Sequence, residues 1–228
     1  MAGTAEESYD LGSVLDVGVD RLSAVRPGTA LLISGPAMTG KDELLEAFLS
    51  DGLERAEAAL GVTTGGPAEQ FIDGLRSRTA GFEGRAVSVI DCRADGSRES
   101  QELEHGAQVH RVTDPGDLTG VGVSVTEALD RLGVGGYDRG RFGLTSLSTM
   151  LTYTDEKTVF KFCHVLSSRL DAAGYVGLFT IDESAHEQRT LQVLKQTFDG
   201  QVQLREREGQ REVRVRGLGG DPSPWRVL

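Results

Sequence analysis

Lysine is nearly absent from this chain, and positive charge is scarce altogether. The 228 residues carry 24 Lys and Arg against 35 Asp and Glu, a formal net charge of −11, and only four of the cations are lysines: Lys41, Lys157, Lys161 and Lys195. DNA and anionic membrane surfaces both require a basic footprint, so neither is expected as a direct partner. An acidic, lysine-poor surface favours a halophile's protein, since molar salt screens self-repulsion. The alternative is an ordinary acidic protein from an organism with an arginine-biased genome.

Cysteine and long apolar runs are also missing. Cys92 and Cys163 are too few for a disulfide framework or a Cys-rich zinc site. No apolar run is long enough to span a bilayer, and the acidic, polar residues 1–10 do not have the pattern of a signal peptide. The length fits one ordinary domain. We therefore expect a soluble, cytoplasmic protein.

Short apolar runs alternate with helical periodicities along most of the chain. Buried strands are predicted near residues 30–34, 60–64, 86–90, 107–112, 141–147 and 175–181. Helices are predicted after Asp42, after Pro67, around 125–132, after the capping residue Asp155 and around 191–198. Polar–apolar alternation around Val202–Leu204 and Val213–Val215 indicates an antiparallel hairpin. The fold class is α/β: a mostly parallel sheet covered by helices, with the hairpin on one edge.

One segment has the pattern of a phosphate-binding loop. It follows the first predicted strand, opens the first long helix and matches G-x-x-x-x-G-K through Gly35, Pro36, Ala37, Met38, Thr39, Gly40 and Lys41. In such a loop, backbone N–H groups surround phosphate oxygens, the helix N-terminus adds partial positive charge, and the lysine contacts the outer phosphates. The alternative is a glycine-rich turn with an incidental lysine.

The residue after this lysine departs from the pattern. Ser or Thr normally follows and coordinates Mg²⁺, but this chain has Asp42 and then Glu43. Two carboxylates there repel a triphosphate, although Asp42 could itself be a Mg²⁺ ligand. Asp42 is therefore expected to weaken nucleotide binding or to change the metal geometry.

The run Leu32–Lys41 resembles the RecA superfamily, specifically KaiC- and GvpD-type P-loop proteins, and most closely their uncharacterised haloarchaeal members. Three further stretches agree with it in order: Pro115–Gly122, Ser146–Leu151 and Gly177–Asp182. The resemblance implies a single RecA/KaiC-like P-loop domain over 16–217, between a polar N-terminal segment, 1–15, and a tail, 218–228. It also implies ATP or ADP as cofactor, possible Mg²⁺, and a homo-oligomer or RecA-fold partner.

The same resemblance implies catalytic groups that this chain lacks. An acidic pair normally follows the second strand, where this chain has Gly65 and Gly66. An aspartate normally ends the strand before Ser-Leu-Ser, where this chain has Thr145. Asp91 and Glu69 are possible substitutes, although an Asp at a strand end is usually a turn or cap residue.

A last feature lies on the predicted final strand. Arg214 and Arg216 resemble the K-x-R-G stretch with which KaiC-type subunits contact a neighbour's nucleotide, and alternate residues of a strand point the same way. The alternative is a solvated strand face in which these arginines pair with Glu206 and Glu212.

Two other groups of residues have simple structural interpretations. The segment that carries Asp182, Ser184 and His186 has no G-x-S-x-G elbow. It is interpreted as a capped helix after a strand. Trp225 is expected to fold the tail back onto the body.

Three functions remain open on the sequence. The first is a regulatory or signalling nucleotide-binding protein with little or no hydrolysis, a pseudo-ATPase in which no catalytic residue stands out. The second is an active ATPase with substituted metal and base residues, in which Lys41 would be catalytic. The third is an interaction module whose P-loop binds nothing.

Overall fold

The structure is a computed structural model that describes residues 8–15, 19–93 and 100–228. Its strands are β1 Ala30–Gly35, β2 Ala58–Thr63, β3 Val87–Asp91, β4 Ser100–Glu102, β5 Gln108–Arg111, β6 Gly140–Thr145, β7 Val176–Asp182, β8 Gly200–Arg207, β9 Gln210–Gly217 and β10 Arg226–Val227. Its α-helices are α1 Gly12–Leu15, α2 Lys41–Glu54, α3 Ala68–Arg78, α4 Leu118–Val134, α5 Leu147–Tyr153, α6 Glu156–Ala172 and α7 Gln188–Lys195.

All ten strands form one sheet in the order β10-β9-β8-β1-β7-β6-β2-β3-β5-β4. The strands from β8 to β5 are parallel to their neighbours, whereas β9, β10 and β4 are antiparallel additions at the two edges. The predicted α/β class, the mostly parallel sheet and the hairpin near one edge are confirmed. Strands β1 and β2 are buried along their whole length, as apolar runs between two helical layers require.

The sheet separates two apolar layers. On one face, α2 and α3 pack through residues such as Phe48 and Ile72, together with the N-terminal residues Tyr9 and Leu11. On the other face, α4, α5, α6 and α7 cover residues such as Phe142 on β6. No helix within the described ranges is both long and apolar enough to cross a membrane.

Two predicted boundaries were wrong. The strand predicted over 141–147 ends at Thr145, because the Ser146 side chain caps the short helix α5 by accepting the N–H of Ser148 at 3.1 Å. The last helix ends at Lys195, and Phe198 instead packs its ring 5.0 Å from that of Phe179. The predicted Asp155 cap is confirmed, since its side chain accepts the Thr158 N–H.

The C-terminal tail folds back as expected. The Trp225 ring lies under the guanidinium groups of Arg205 and Arg214, at 4.0 and 4.5 Å. Arg226–Val227 then pairs antiparallel with β9. The tail therefore covers part of the hairpin and adds the short strand β10 outside it at this edge of the sheet.

Candidate functional site

The predicted phosphate loop stands at the carboxyl end of a central strand. Gly35 ends β1 and lies beside Asp182, the last residue of the parallel strand β7. Strand β8 flanks β1 on its other side. Ligands of parallel α/β sheets bind at this edge, in the crevice beyond the strand ends.

The shape of the loop depends on glycine at two positions. Gly40 has φ +86°, a left-handed conformation that ends the loop where α2 begins. A Cβ on Gly35 would lie 2.6 Å from the carbonyl oxygen of Leu204, so β8 leaves no room for a side chain there. Inside the loop, the buried Thr39 donates its hydroxyl to the Pro36 carbonyl at 2.8 Å, while Met38 is 98% exposed. The sequence spacing therefore produces a curved, internally bonded loop.

Lys41 curls back into this loop. Its Nζ atom donates to the carbonyl oxygens of Gly35, at 3.0 Å, and of Pro36. Burial lowers the pKa of Lys41, against the opposing effects of Asp182, Asp42 and Glu183. The ammonium is thus held against the carbonyl oxygens of the first two loop residues.

The two carboxylates after Lys41 differ in their surroundings. Glu43 accepts a hydrogen bond from Arg211 of β9 at 2.8 Å, and that guanidinium packs so closely on Gly40 that a Cβ there would collide with it. Asp42 is exposed overall, yet the protein around its carboxyl desolvates it and raises its pKa, with Lys41 acting in the opposite direction. Arg211 therefore compensates one of the two charges, a contact that no local signal in the sequence indicated.

A cavity of about 370 Å³ lies between the start of α2, from Asp42 onward, and the ends of β2 and β6. Asp42 and Glu46, one helical turn apart, both line it. Burial raises the pKa of Glu46, which Arg78 opposes from 3.3 Å. The rest of the lining is Thr63, Thr64, Gly65, Gly66, Pro67, Gln70, Phe71, Thr145, Ser146 and Thr149. Glu46 was missed in the sequence, although its spacing from Asp42 could have indicated it.

The positions at which the resemblance implied catalytic acids face this cavity. Gly65 and Gly66 have no side chain with which to move a proton, and Thr145 offers only a hydroxyl. Across the described part of the cavity wall, the ionisable side chains are those of Asp42 and Glu46.

The two substitute acids considered in the sequence are engaged elsewhere. Asp91 is 2% exposed and accepts the Ala68 N–H at 3.1 Å and the Arg93 guanidinium at 2.8 Å. Burial alone would raise the pKa of Asp91, but these bonds outweigh it and lower the pKa. Glu69 pairs with Arg111 at 2.6 Å. Both acids therefore secure the start of α3 and do not line the cavity, which agrees with the cap interpretation of Asp91.

Arg214 and Arg216 lie on one face of β9 but have different surroundings. Arg214 donates to Gln203 at 2.6 Å and stacks on Trp225. Burial lowers the pKa of Arg214, and Arg216 adds to that effect, so the two cations are near neighbours. Arg216 is exposed and lines a second cavity of about 510 Å³. The alternative prediction was that these two arginines pair with glutamates of the hairpin. For Glu212 it was wrong, because Glu212 pairs with Arg205 at 2.6 Å.

A polar contact that the sequence did not predict lies beside the loop. The Ser148 hydroxyl accepts the Asp182 N–H at 2.9 Å and lies 2.8 Å from Nε2 of His186. Asp182 itself accepts the Ser184 N–H at 2.9 Å, as its interpretation as a capping residue predicted. Ser148 is separated from His186 by 38 residues, which is why only the fold could bring them together.

Metal-ligating side chains are sparse. Over residues 8–15, 19–93 and 100–228, no group of three or more His, Cys, Asp or Glu side chains could hold a metal ion. A cation at this edge would therefore need oxygen ligands from a bound phosphate in addition to Asp42.

Comparison with known proteins places the chain in a family without indicating an activity. No curated protein matches it. The profile of a family of unknown function (DUF7504) matches residues 28–204, which include the loop, the cavity and the Ser148–His186 contact. Since this match covers more than half of the chain, the protein belongs to the DUF7504 family.

Proposed function

We propose that this protein is a KaiC-like member of the RecA superfamily that binds ATP or ADP with little or no hydrolysis and acts in regulation or signalling. The observation that carries the proposal is the loop from Gly35 to Lys41. It joins a buried parallel strand to a helix, is closed by a left-handed Gly40, and holds the Lys41 ammonium at its centre.

Binding of a polyphosphate follows from groups that the loop already positions. The first N–H groups of α2 have no partner within the helix, and the helix dipole favours an anion at this end. A phosphate oxygen would take over the Lys41 ammonium from the carbonyls of Gly35 and Pro36. Arg211 supports this by compensating Glu43.

The proposed lack of turnover also has a physical basis. Hydrolysis requires a positioned water and neutralisation of the charge that develops on the phosphates. Gly65, Gly66 and Thr145 supply no base beside the loop, and Asp91 and Glu69 are held in ion pairs away from it. Of the carboxylates in the cavity wall, Glu46 is paired with Arg78, so the acids that the resemblance implies for hydrolysis have no direct replacement there.

Magnesium fits this site only as an ion coordinated by both the protein and the nucleotide. Asp42 would hold it together with nucleotide phosphates, because Mg²⁺ accepts one or two carboxylates plus phosphate oxygens. The ion would supply charge neutralisation between Asp42 and the phosphates.

The binding claim is tested by calorimetry in molar KCl. ATP and ADP are titrated into the full chain with and without Mg²⁺, and adenosine serves as the ligand without phosphate. We expect both nucleotides to bind and adenosine to bind at least tenfold more weakly, since the loop recognises phosphate. Equal affinity for adenosine, or no heat from any of the three, would overturn the proposal.

The hydrolysis claim is tested by phosphate release. Wild-type protein and Lys41→Ala are incubated with Mg-ATP at equal concentration. We expect identical rates for the two, at the level of buffer alone. Clear turnover that disappears in Lys41→Ala would instead identify an active ATPase with substituted catalytic groups.

A further inference from the structure

Ser148 and His186 form a polar link beside the phosphate loop. Ser148 lies in the first turn of α5, and His186 follows the 3-10 turn after β7. The Ser148 Oγ atom accepts the backbone N–H of Asp182 at 2.9 Å and lies 2.8 Å from His186 Nε2. Because Asp182 is paired with Gly35, the link adjoins the first residue of the loop.

The link can serve both protonation states of the imidazole. A hydroxyl has one proton to donate and two lone pairs with which to accept. While His186 is neutral, Ser148 can donate its proton to Nε2. When His186 carries a proton on Nε2, that N–H donates to the Ser148 oxygen. The Ser148 hydroxyl can then turn and donate its own hydrogen bond to another acceptor. An oxygen of a phosphate in the loop is an acceptor of that kind.

The charges around this link connect it to Lys41. The Lys41 Nζ atom donates to the Gly35 carbonyl at 3.0 Å, and Gly35 is the strand partner of Asp182, so Lys41 lies near the start of this link. The Asp182 carboxylate accordingly raises the pKa of Lys41, against the larger effect of burial. The outer phosphate that Lys41 binds would therefore stand on the same side of the loop as Asp182, Ser148 and His186.

The charged groups that face His186 come from three elements. Its own segment supplies Asp182 and Glu183, α7 supplies Lys195, and β9 supplies Arg216. Glu183 and Lys195 pair with each other at 3.1 Å. The uncharged Ser148 of α5 and Gln203 of β8 complete the surroundings.

The protonation of His186 depends on opposing effects of its surroundings. Burial lowers its pKa, and the nearby Asp182 opposes that effect. Burial therefore favours the neutral imidazole in the nucleotide-free protein. A phosphate anion nearby favours the charged form and raises the pKa, so binding of the anion would draw a proton from solvent.

We propose that His186, acting through Ser148, is a proton-linked specificity residue of the phosphate loop, and that its imidazole gains protonation when the outer phosphate of a nucleoside triphosphate binds. This inference rests on the proposed function. It predicts discrimination between ATP and ADP, because the shorter nucleotide places less charge beside the link.

The test is nucleotide calorimetry on the full chain at pH 6, 7 and 8. At each pH, titrations in two buffers of different ionisation enthalpy count the protons taken up. The variants are His186→Gln and Ser148→Ala, and His164→Gln, at an exposed position on α6, is the matched control. A second set in the Asp42→Asn background removes the carboxyl that follows Lys41, whose own titration could also change the pH dependence.

We expect the affinity for ATP to rise severalfold more between pH 8 and pH 6 in wild type than in His186→Gln, because a pKa raised by about one unit contributes at most about tenfold. ADP should show a smaller difference, Ser148→Ala should resemble His186→Gln, and His164→Gln should resemble wild type. Equal pH slopes in wild type and His186→Gln would overturn the inference while leaving the proposed function intact. Absence of nucleotide binding at every pH would defeat both.

Direct titration of the wild-type imidazole gives a readout that needs no variant of His186. The protein contains only four histidines, so their NMR signals can be followed against pH with and without ATP. We expect the pKa of His186 to rise by about one unit when ATP is present. An unchanged pKa in ATP-bound protein would count against the inference.

Discussion

The Nζ atom of Lys41 lies 3.0 Å from the carbonyl oxygen of Gly35, the residue that ends the strand before its own loop. The Lys41 ammonium thus already donates a hydrogen bond to a carbonyl of the loop that would hold the phosphate. A bound phosphate must therefore compete with carbonyl oxygens for this ammonium, which links the loop's conformation to its affinity.

Replacing Lys41 with Ala should lower nucleotide affinity at least tenfold without unfolding the protein. The loop loses its central cation, whereas its backbone is shaped by Gly35 and Gly40. We expect the free energy of unfolding to change by less than about 1 kcal/mol, because the lost hydrogen bonds are partly open to water. Calorimetry and urea unfolding measure the two quantities, with Lys157→Ala as the control at an exposed lysine. Unchanged affinity would show that the loop does not recognise phosphate.

Asp42→Thr should raise the affinity for Mg-ATP about tenfold. At about 4 Å and an effective dielectric near 20, a like-charge pair costs on the order of 4 kcal/mol before screening, and solvent removes much of this. Threonine also restores the hydroxyl that other phosphate loops offer to Mg²⁺. Calorimetry with Asp130→Thr as an exposed control measures the effect. Weaker binding would show that Asp42 is itself a necessary metal ligand.

The raised pKa of Asp42 also predicts a pH dependence of stability. Because burial disfavours its charged form, Asp42 stabilises the fold while protonated, and this contribution is lost as pH rises through its folded pKa. Asp42→Asn should therefore be more stable than wild type at pH 7 and equal to it at pH 3. Urea unfolding at both values measures this, and a difference that is the same at both would contradict it.

Arg141 is fully buried on β6 and is held by three groups. It forms ion pairs with Glu57 at 2.6 Å and Asp51 at 2.8 Å, and donates to the Phe48 carbonyl at 2.8 Å. Its side chain also fills the space beside Gly52, where a Cβ would lie 2.7 Å from the Arg141 Cδ.

Arg141→Ala should lower the free energy of unfolding by about 3–5 kcal/mol, since it leaves two carboxylates without their buried partner. Arg85→Ala, at an exposed arginine paired with Glu83, should change stability far less, because solvent screens that pair. Urea unfolding measures both. Adding Glu57→Gln to Arg141→Ala should recover part of the loss, and a further loss of the same size would contradict the ion-pair explanation.

The excess of acidic residues predicts that salt stabilises the fold. With a net charge of −11, self-repulsion weakens as the Debye length falls from about 10 Å at 0.1 M to about 3 Å at 1 M salt. We expect the melting temperature to rise steeply with KCl up to about 1 M. Sucrose at equal osmolality is the control for solvent exclusion, and a flat response to KCl would contradict the halophilic interpretation.

Local signals determined much of the fold. The apolar run of Ala30–Gly35, the helical period that begins at Lys41 and the alternation in the hairpin could be read directly, because strand and helix periodicities are properties of neighbouring residues. The curve of the phosphate loop was also readable, since the left-handed backbone at Gly40 is set at a single residue. Boundaries were less certain, as the cap at Ser146 shows.

The amino-acid sequence by itself thus determined the α/β class and the glycine-bounded turn between β1 and α2. Only the tertiary structure decided that Ser148 meets His186 across 38 residues, that Arg211 meets Glu43 across 168, and that Arg141 meets Glu57 across 84. Each contact joins elements brought together by the strand order of the sheet, and that order results from packing of the whole chain. A polar side chain in the sequence does not show its partner until the strands that carry both are placed side by side.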